Sequence, residues 1–62
     1  MQFKIGDMVV RKSYRRDILF RIIRIDQSAN GEPVAVLHGD EVRLIADAYL
    51  TDLEMVARLS GR

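Results

Sequence analysis

Residues 18–38 read ILFRIIRIDQSANGEPVAVLH, a segment with the pattern of a β-hairpin. Its first part, residues 18–26, is rich in isoleucine and is the longest strand candidate, because β-branched side chains favour strands. Residues 27–33 contain Asn30-Gly31, the strongest short-range signal for a hairpin turn. Residues 34–38 then provide the returning strand. The segment therefore predicts two antiparallel strands, around which the rest of a β domain can assemble.

The apolar alternation within residues 18–26 changes phase. Ile18, Phe20 and Ile22 share one parity, whereas Ile23 and Ile25 have the other. Such a slip inside one strand is typical of a β-bulge or of a sharp bend in a barrel. We therefore predict a bulge in this strand, with Phe20 in the core.

The first strand is predicted at residues 8–12, MVVRK, directly after a turn signal at Gly6-Asp7. The following residues, 13–17, contain one aromatic residue, Tyr14, and predict a connecting loop.

A fourth strand is predicted at residues 41–46, EVRLIA, where apolar and polar residues largely alternate. It would follow a two-residue hairpin loop at Gly39-Asp40, so that His38 and Glu41 form a cross-strand pair. The last segment fits two patterns, a continuous helix or a short helical turn at residues 49–53 followed by a strand at residues 54–58. We favour the second.

Composition limits the class of protein. The chain has 62 residues, 48% of them hydrophobic, which is enough for one small folded domain but not for a large core. It has no cysteine, so disulfides and thiolate zinc sites are excluded. No apolar run reaches the roughly 20 residues of a membrane span, and no signal peptide pattern is present, so we expect a cytoplasmic protein. Four or five short strands joined by tight turns predict an all-β, open antiparallel barrel.

No residue set in the sequence forms a recognisable catalytic or metal-binding motif. His38 is the only histidine, and no pattern places it beside a serine and an aspartate. The acidic residues Asp40, Glu41 and Asp47 lack the spacing of a calcium loop. The four glycines are separate from one another and form no phosphate-binding loop. We therefore expect no catalytic residue, no metal and no cofactor in this chain.

The charges are distributed unevenly. Residues 1–26 hold seven Lys or Arg and three Asp, giving +4, and residues 27–62 hold three Arg and six acidic residues, giving −3. Such asymmetry can indicate a nucleic-acid surface, but in a small β domain opposite charges also pair across strands.

The densest basic stretch is RKSYRRD, residues 11–17, in which five of the seven residues are charged and four are basic. We call residues 11–16 the basic segment; its candidate partner-binding residues are Arg11, Lys12, Tyr14, Arg15 and Arg16. Basic side chains with an aromatic neighbour could bind a single nucleic-acid strand, although the chain has few aromatic residues. The same loop could equally bind an acidic patch on a partner protein.

The segments IGDMVVRKSY, ILFRIIRI, AVLHGDEVRLIADA and DLEMV together resemble the N-terminus of the YabG family of sporulation-specific, spore-coat-processing proteases. The most distinctive of these matches is HGDEVRLIAD, residues 38–47. The resemblance extends over essentially all 62 residues, in order.

The resemblance implies a fold, a setting and a set of candidate roles. Members of the family are considerably longer, so residues 1–62 would be a single N-terminal domain, an SH3-like or Tudor-like small barrel without the catalytic part. The setting would be the mother-cell cytoplasm of a sporulating bacterium, with association with the spore coat. The basic segment would then dock a coat-protein substrate, an assembly partner or the catalytic domain of the same protein. A nucleic-acid partner and a purely structural role are the alternatives, and no membrane partner is expected.

Overall fold

The computed structural model describes residues 3–14 and 17–58. These residues form five strands: β1 (Asp7–Arg11), β2 (Phe20–Gln27), β3 (Pro33–Gly39), β4 (Ile45–Tyr49) and β5 (Leu53–Arg58). Two single 3₁₀ turns connect them, η1 (Lys12–Tyr14) between β1 and β2, and η2 (Leu50–Asp52) between β4 and β5. None of the helical segments that the structure describes is long and apolar enough to cross a membrane.

The five strands form one antiparallel sheet in the order β4-β3-β2-β1-β5. The first four strands follow one another as a meander, and β5 returns to pair with β1. The sheet is open, with β4 and β5 at its two edges. The predicted all-β class, with about five antiparallel strands, is therefore confirmed.

The core lies on one face of this sheet. Val9, Phe20, Ile22 and Leu37 are completely buried, although no second layer covers them in the part of the chain that the structure describes. The sheet must therefore bend over its own inner face, as in a small open barrel. Burial of each large apolar side chain contributes about 1.5–3 kcal/mol to folding. The predicted core position of Phe20 is confirmed.

The predicted bulge in β2 is confirmed. Ile22 pairs with Leu37, but the next residue of β3, Val36, pairs with Arg24, so Ile23 is the extra residue. Ile23 points out and is exposed, and Ile25 returns to pack against the core. The bulge thus explains why the apolar phase changes within one continuous strand.

Two turns contain a glycine with a positive φ, at positions where the sequence predicts turns. Gly6 has a φ of +98°, and the Asp7 N–H donates to the Lys4 carbonyl oxygen over 3.1 Å, which is the arrangement of a type II turn. The Lys4 N–H donates to the buried Asp7 carboxylate at 2.9 Å and fixes the start of β1. Gly31 has a φ of +87° in the β2–β3 hairpin.

The predicted strand at residues 41–46 and the two-residue loop at Gly39-Asp40 are wrong. The structure has a five-residue connection, 40–44, and β4 begins only at Ile45. His38 pairs with Ile45, so the predicted His38–Glu41 pair does not form. The physical reason is that the Asp40 N–H donates to the Leu19 carbonyl oxygen at 2.9 Å, outside the β3–β4 hairpin. The Gly39 N–H donates to the Leu44 carbonyl oxygen at 2.8 Å, in register with the His38–Ile45 pair, so the hairpin closes at Gly39 and Leu44.

The remaining boundaries differ by one or two residues from those predicted. β1 and β3 extend one residue further at their N-terminal ends, and β2 starts at Phe20 instead of Ile18. The helical turn near residues 49–53 and the strand after it are confirmed as η2 and β5.

Candidate functional site

The structure describes only part of the predicted binding set. Arg11 ends β1, Lys12 starts η1, and Tyr14 ends η1. Arg15 and Arg16 lie outside the described residues. Lys12 is exposed, and none of the ion pairs formed by the described residues involves it.

The start of the basic segment is held by Asp52 of η2. One carboxylate oxygen of Asp52 accepts the Ser13 N–H at 3.0 Å, and the other accepts the Ser13 hydroxyl at 2.7 Å. Arg11 Nε donates to the second oxygen at 3.3 Å. Hydrogen bonds of this kind stabilise a charged carboxylate. Asp52 therefore anchors the segment where it leaves β1.

These contacts lower the pKa of Asp52. The largest cause is the hydrogen bond from the Ser13 hydroxyl, followed among the lowering effects by the Ser13 N–H and then by Arg11; desolvation opposes them. The carboxylate therefore stays ionised at neutral pH and keeps accepting all three hydrogen bonds.

Three of the described arginines are already ion-paired. Arg11 pairs with Asp52, Arg21 Nη2 lies 3.6 Å from Asp40, and Arg24 Nε lies 2.8 Å from Asp26. The first two pairs join the basic half of the chain to the acidic half. The sequence offered charge pairing across strands as one explanation of the asymmetry; here the acidic partners lie in η2 and in the 40–44 connection and not in strands. The side chain of Arg11 is only 16% exposed, so it is largely withdrawn from solvent.

After the basic segment, the β1–β2 connection contacts the β3–β4 connection. Residues 17–19 and the 40–44 connection meet through the Asp40–Leu19 backbone hydrogen bond, and Asp40 also forms an ion pair with Arg21 of β2. They enclose a groove of about 250 Å³, and its lining residues are Asp17, Ile18, Leu19, Glu41 and Val42. The β1–β2 and β3–β4 connections thus form one continuous surface.

This surface exposes three large apolar side chains. Leu19 is 36% exposed, Val42 48% and Leu44 37%. We call these three residues the loop patch. Apolar side chains clustered on loops and bordered by charge are typical of an interaction site.

Sequence reasoning missed the loop patch because it assigned Val42 and Leu44 to a strand. The missed signal is the next stretch, IADAY at residues 45–49, in which the small Ala46 and Ala48 alternate with larger residues. Ala48 is buried and Ala46 packs against the core, so this alternation defines the actual strand.

The structure brings together no catalytic or metal-binding set among its described residues. No group of three or more His, Cys, Asp or Glu in the described part of the chain could hold a metal ion. Ser13 bonds to Asp52, the Ser28 hydroxyl bonds to Asn30, and His38 Nδ1 lies 2.8 Å from its neighbouring carbonyl oxygen, that of Gly39. His38 is therefore engaged locally and forms no hydrogen bond with either serine.

The comparisons with known proteins agree with the resemblance seen in the sequence. The family model described as YabG peptidase U57 matches residues 4–61. The chain belongs to this family. It is 62% identical over 58 residues to the sporulation-specific protease YabG of Bacillus subtilis (strain 168). The aligned region covers 94% of this chain but only 20% of that protein, and it corresponds to the N-terminal part of YabG. No solved structure matches the chain. Both the basic segment and the loop patch fall within the residues that the YabG family model matches.

Proposed function

We propose that this chain is a non-catalytic docking domain in the N-terminal region of a sporulation-specific protease, and that it binds a protein partner through the basic segment and the loop patch. The observation that carries the proposal is the exposed loop patch beside the anchored basic segment. The proposed partner is a spore-coat protein that the protease cleaves or assembles with. The alternative partner for the same surface is the protease's own catalytic part.

The surface has the arrangement of a small protein interface. Its apolar centre, the loop patch, lies between loops that carry charged groups, with Asp17 and Glu41 beside the groove. Lys12 follows directly from β1 on the basic side. An apolar centre with a charged rim allows burial to provide affinity while the charges select the partner.

The architecture supports an SH3-like or Tudor-like role for this domain. A four-stranded meander whose fifth strand pairs with the first has the strand order of such barrels, and connecting loops carry the binding surfaces of many small β domains. The tight Asp40–Leu19 contact gives the two loops a fixed relative position, which reduces the entropy cost of binding.

Nucleic-acid binding is the less favoured alternative. Arg11, Arg21 and Arg24 are ion-paired, so each phosphate contact would have to displace a carboxylate. Two further acidic side chains, Asp17 and Glu41, line the groove and would repel phosphates. Binding of this kind would weaken steeply with salt because counterions are released.

The test uses the complete protease in sporulating cells. Two double variants alter the surface, Arg15→Glu with Arg16→Glu, and Leu19→Ser with Val42→Ser. Matched controls alter exposed residues elsewhere, Lys4→Glu with Arg24→Glu for charge and Val56→Ser for apolar exposure. The measurements are coat-protein processing and co-purification of coat proteins with the protease.

We expect both surface variants to reduce processing and co-purification at least about fivefold, equivalent to about 1 kcal/mol, while the controls stay near wild type. Equal cellular levels of all variants would show that the loss is not due to unfolding. If processing and co-purification survive both surface changes, the docking role is wrong. The same variants are also tested for binding of the separately expressed catalytic part. If they lose this binding but still co-purify coat proteins, the partner is internal to the protease.

We further propose that the domain works in the mother-cell cytoplasm and at the spore coat; its relative, a sporulation-specific protease, supports a role during sporulation. A fluorescent fusion of the complete protease should appear in the mother cell during late sporulation. Signal confined to the forespore would contradict this location.

A further inference from the structure

A second surface lies along the edge strand β4 and adjoins the start of the basic segment at Arg11. β4 is an edge strand whose sheet partner is β3. Among the described residues, no backbone hydrogen bond to a turn or loop involves residues 45–48, and Tyr49 leads directly into η2. An edge strand has backbone donors and acceptors on its open side, and an extended chain can pair with them.

A groove of about 390 Å³ adjoins this edge. Its lining residues are Arg11, Val34, Asp47, Ala48, Tyr49 and Asp52. Asp47 and Tyr49 are two residues apart on one strand, so their side chains share the outer face of the sheet. Tyr49 is 45% exposed, and Ile45, on the same face, is 66% exposed.

The charge of this groove is negative. Asp52 already binds Arg11, so these two charges offset each other. Asp47 is exposed and forms no ion pair among residues 3–14 and 17–58. One uncompensated carboxylate thus lies beside an exposed aromatic ring, and a cation binds favourably to both groups.

We propose that β4 and this groove bind an extended basic peptide segment, which pairs with β4 as a sixth strand and places an arginine or lysine side chain against Asp47 and Tyr49. In the bound peptide, the residues two positions before and two positions after the basic residue would lie opposite Ile45 and Tyr49. The segment therefore has the pattern apolar-x-basic-x-apolar, which is the same in both strand directions.

Two other occupants fit less well. A second copy of the chain, paired β4 to β4 about a two-fold axis centred on the strand, would place Asp47 opposite Asp47, and directly opposed like charges are destabilising. The other free edge, β5, carries Glu54, which already has an interaction partner, so it offers no comparable free carboxylate for a cation.

The test is an amide-shift NMR titration of the 62-residue chain with two synthetic peptides, GSVTRTVSG and the matched control GSVTETVSG. We expect saturable shifts at residues 45–49 and 34–36 with the arginine peptide, and at least about tenfold weaker binding of the glutamate peptide. The variant Asp47→Lys should invert this preference, and the milder Asp47→Asn should weaken the arginine peptide without strengthening the other.

Absence of saturable shifts at β4 would overturn the proposal, as would equal binding of the two peptides or unchanged binding by Asp47→Asn. Shifts at β4 that depend on protein concentration, without peptide, would identify a second copy as the occupant and would also overturn it. Because Leu19 and Val42 are not among the residues that line this groove, failure here leaves the docking role of the loop patch untouched.

Discussion

The carboxylate of Asp52 accepts a 2.7 Å hydrogen bond from the hydroxyl group of Ser13, and this contact joins positions 39 residues apart in the sequence. It connects η1, which follows the first residue of the basic segment, with η2, which leads into β5. The same carboxylate also binds Arg11, the last residue of β1. The first residues of the proposed docking loop are therefore anchored to η2, which lies much later in the sequence.

Replacement of Asp52 by alanine should lower the free energy of unfolding by about 1–2 kcal/mol. The Ser13 and Arg11 groups would lose a charged partner. A hydrogen bond to a charged group contributes about 1.5–3 kcal/mol, and the solvent exposure of the Ser13 contacts reduces that contribution here. Urea denaturation measures the change, with Glu41→Ala, an exposed loop carboxylate without an ion pair among the described residues, as the control. A loss no larger than that of the control would contradict the anchoring role.

The Asp52 contact should also make stability depend on pH in the acidic range. The pKa of Asp52 is lowered below its ordinary value of 3.8, chiefly by the Ser13 hydroxyl. A depressed carboxyl pKa stabilises the fold above the unfolded-state pKa, and this stabilisation is lost as the pH falls through the lower, folded-state pKa. The melting temperature of the wild type should therefore fall more between pH 6 and pH 2 than the melting temperature of Asp52→Asn. Parallel curves for the two proteins would be evidence against this linkage.

Gly39→Ala should destabilise the chain by about 1–3 kcal/mol, the usual cost of forcing extra volume into a packed site. A Cβ atom at this position would lie 2.6 Å from both the side chain and the carbonyl oxygen of Val42. Addition of Val42→Ala removes one of these two contacts and should restore only part of the loss. Gly31→Ala provides the comparison, because its cost comes from a φ of +87° and Val42→Ala should leave it unchanged. Full rescue of Gly39→Ala would show that the backbone contact is unimportant.

Phe20→Ala should cost about 3–5 kcal/mol and leave much of the chain unfolded, since Phe20 is completely buried in a small core. Phe20→Leu should retain more stability, and the exposed Val56→Ala should change the free energy of unfolding by less than about 0.5 kcal/mol. Circular dichroism during urea unfolding distinguishes these outcomes. A folded Phe20→Ala protein with near wild-type stability would contradict the assignment of the core.

The features that sequence reasoning predicted correctly are local ones. The bulge of β2 follows from the change of parity between Ile22 and Ile25, and the hairpin follows from Asn30-Gly31. Each depends on residues that are close together in the chain. At these positions the local pattern and the tertiary packing favour the same structure.

The features that it missed depend on distant contacts. The start of β4 depends on the hydrogen bond from Asp40 to Leu19, which draws the 40–44 connection away from a tight hairpin. The pairing of Arg11 with Asp52 spans 41 residues, and no local pattern indicates it. The basic segment could therefore be found from the sequence, but neither its anchor nor the loop patch beside it could.

The central claim, that the basic segment and the loop patch dock a protein partner, is tested most directly by NMR on the isotope-labelled 62-residue chain. Titration with a purified coat substrate of the protease should give saturable shifts at Lys12–Tyr14, Leu19 and Val42–Leu44 that persist at moderate salt. Parallel titrations with the catalytic part and with a short single-stranded oligonucleotide identify the partner class. Shifts at these residues with the oligonucleotide alone, lost as salt is raised, would contradict the protein-docking account, and so would the absence of shifts with both proteins.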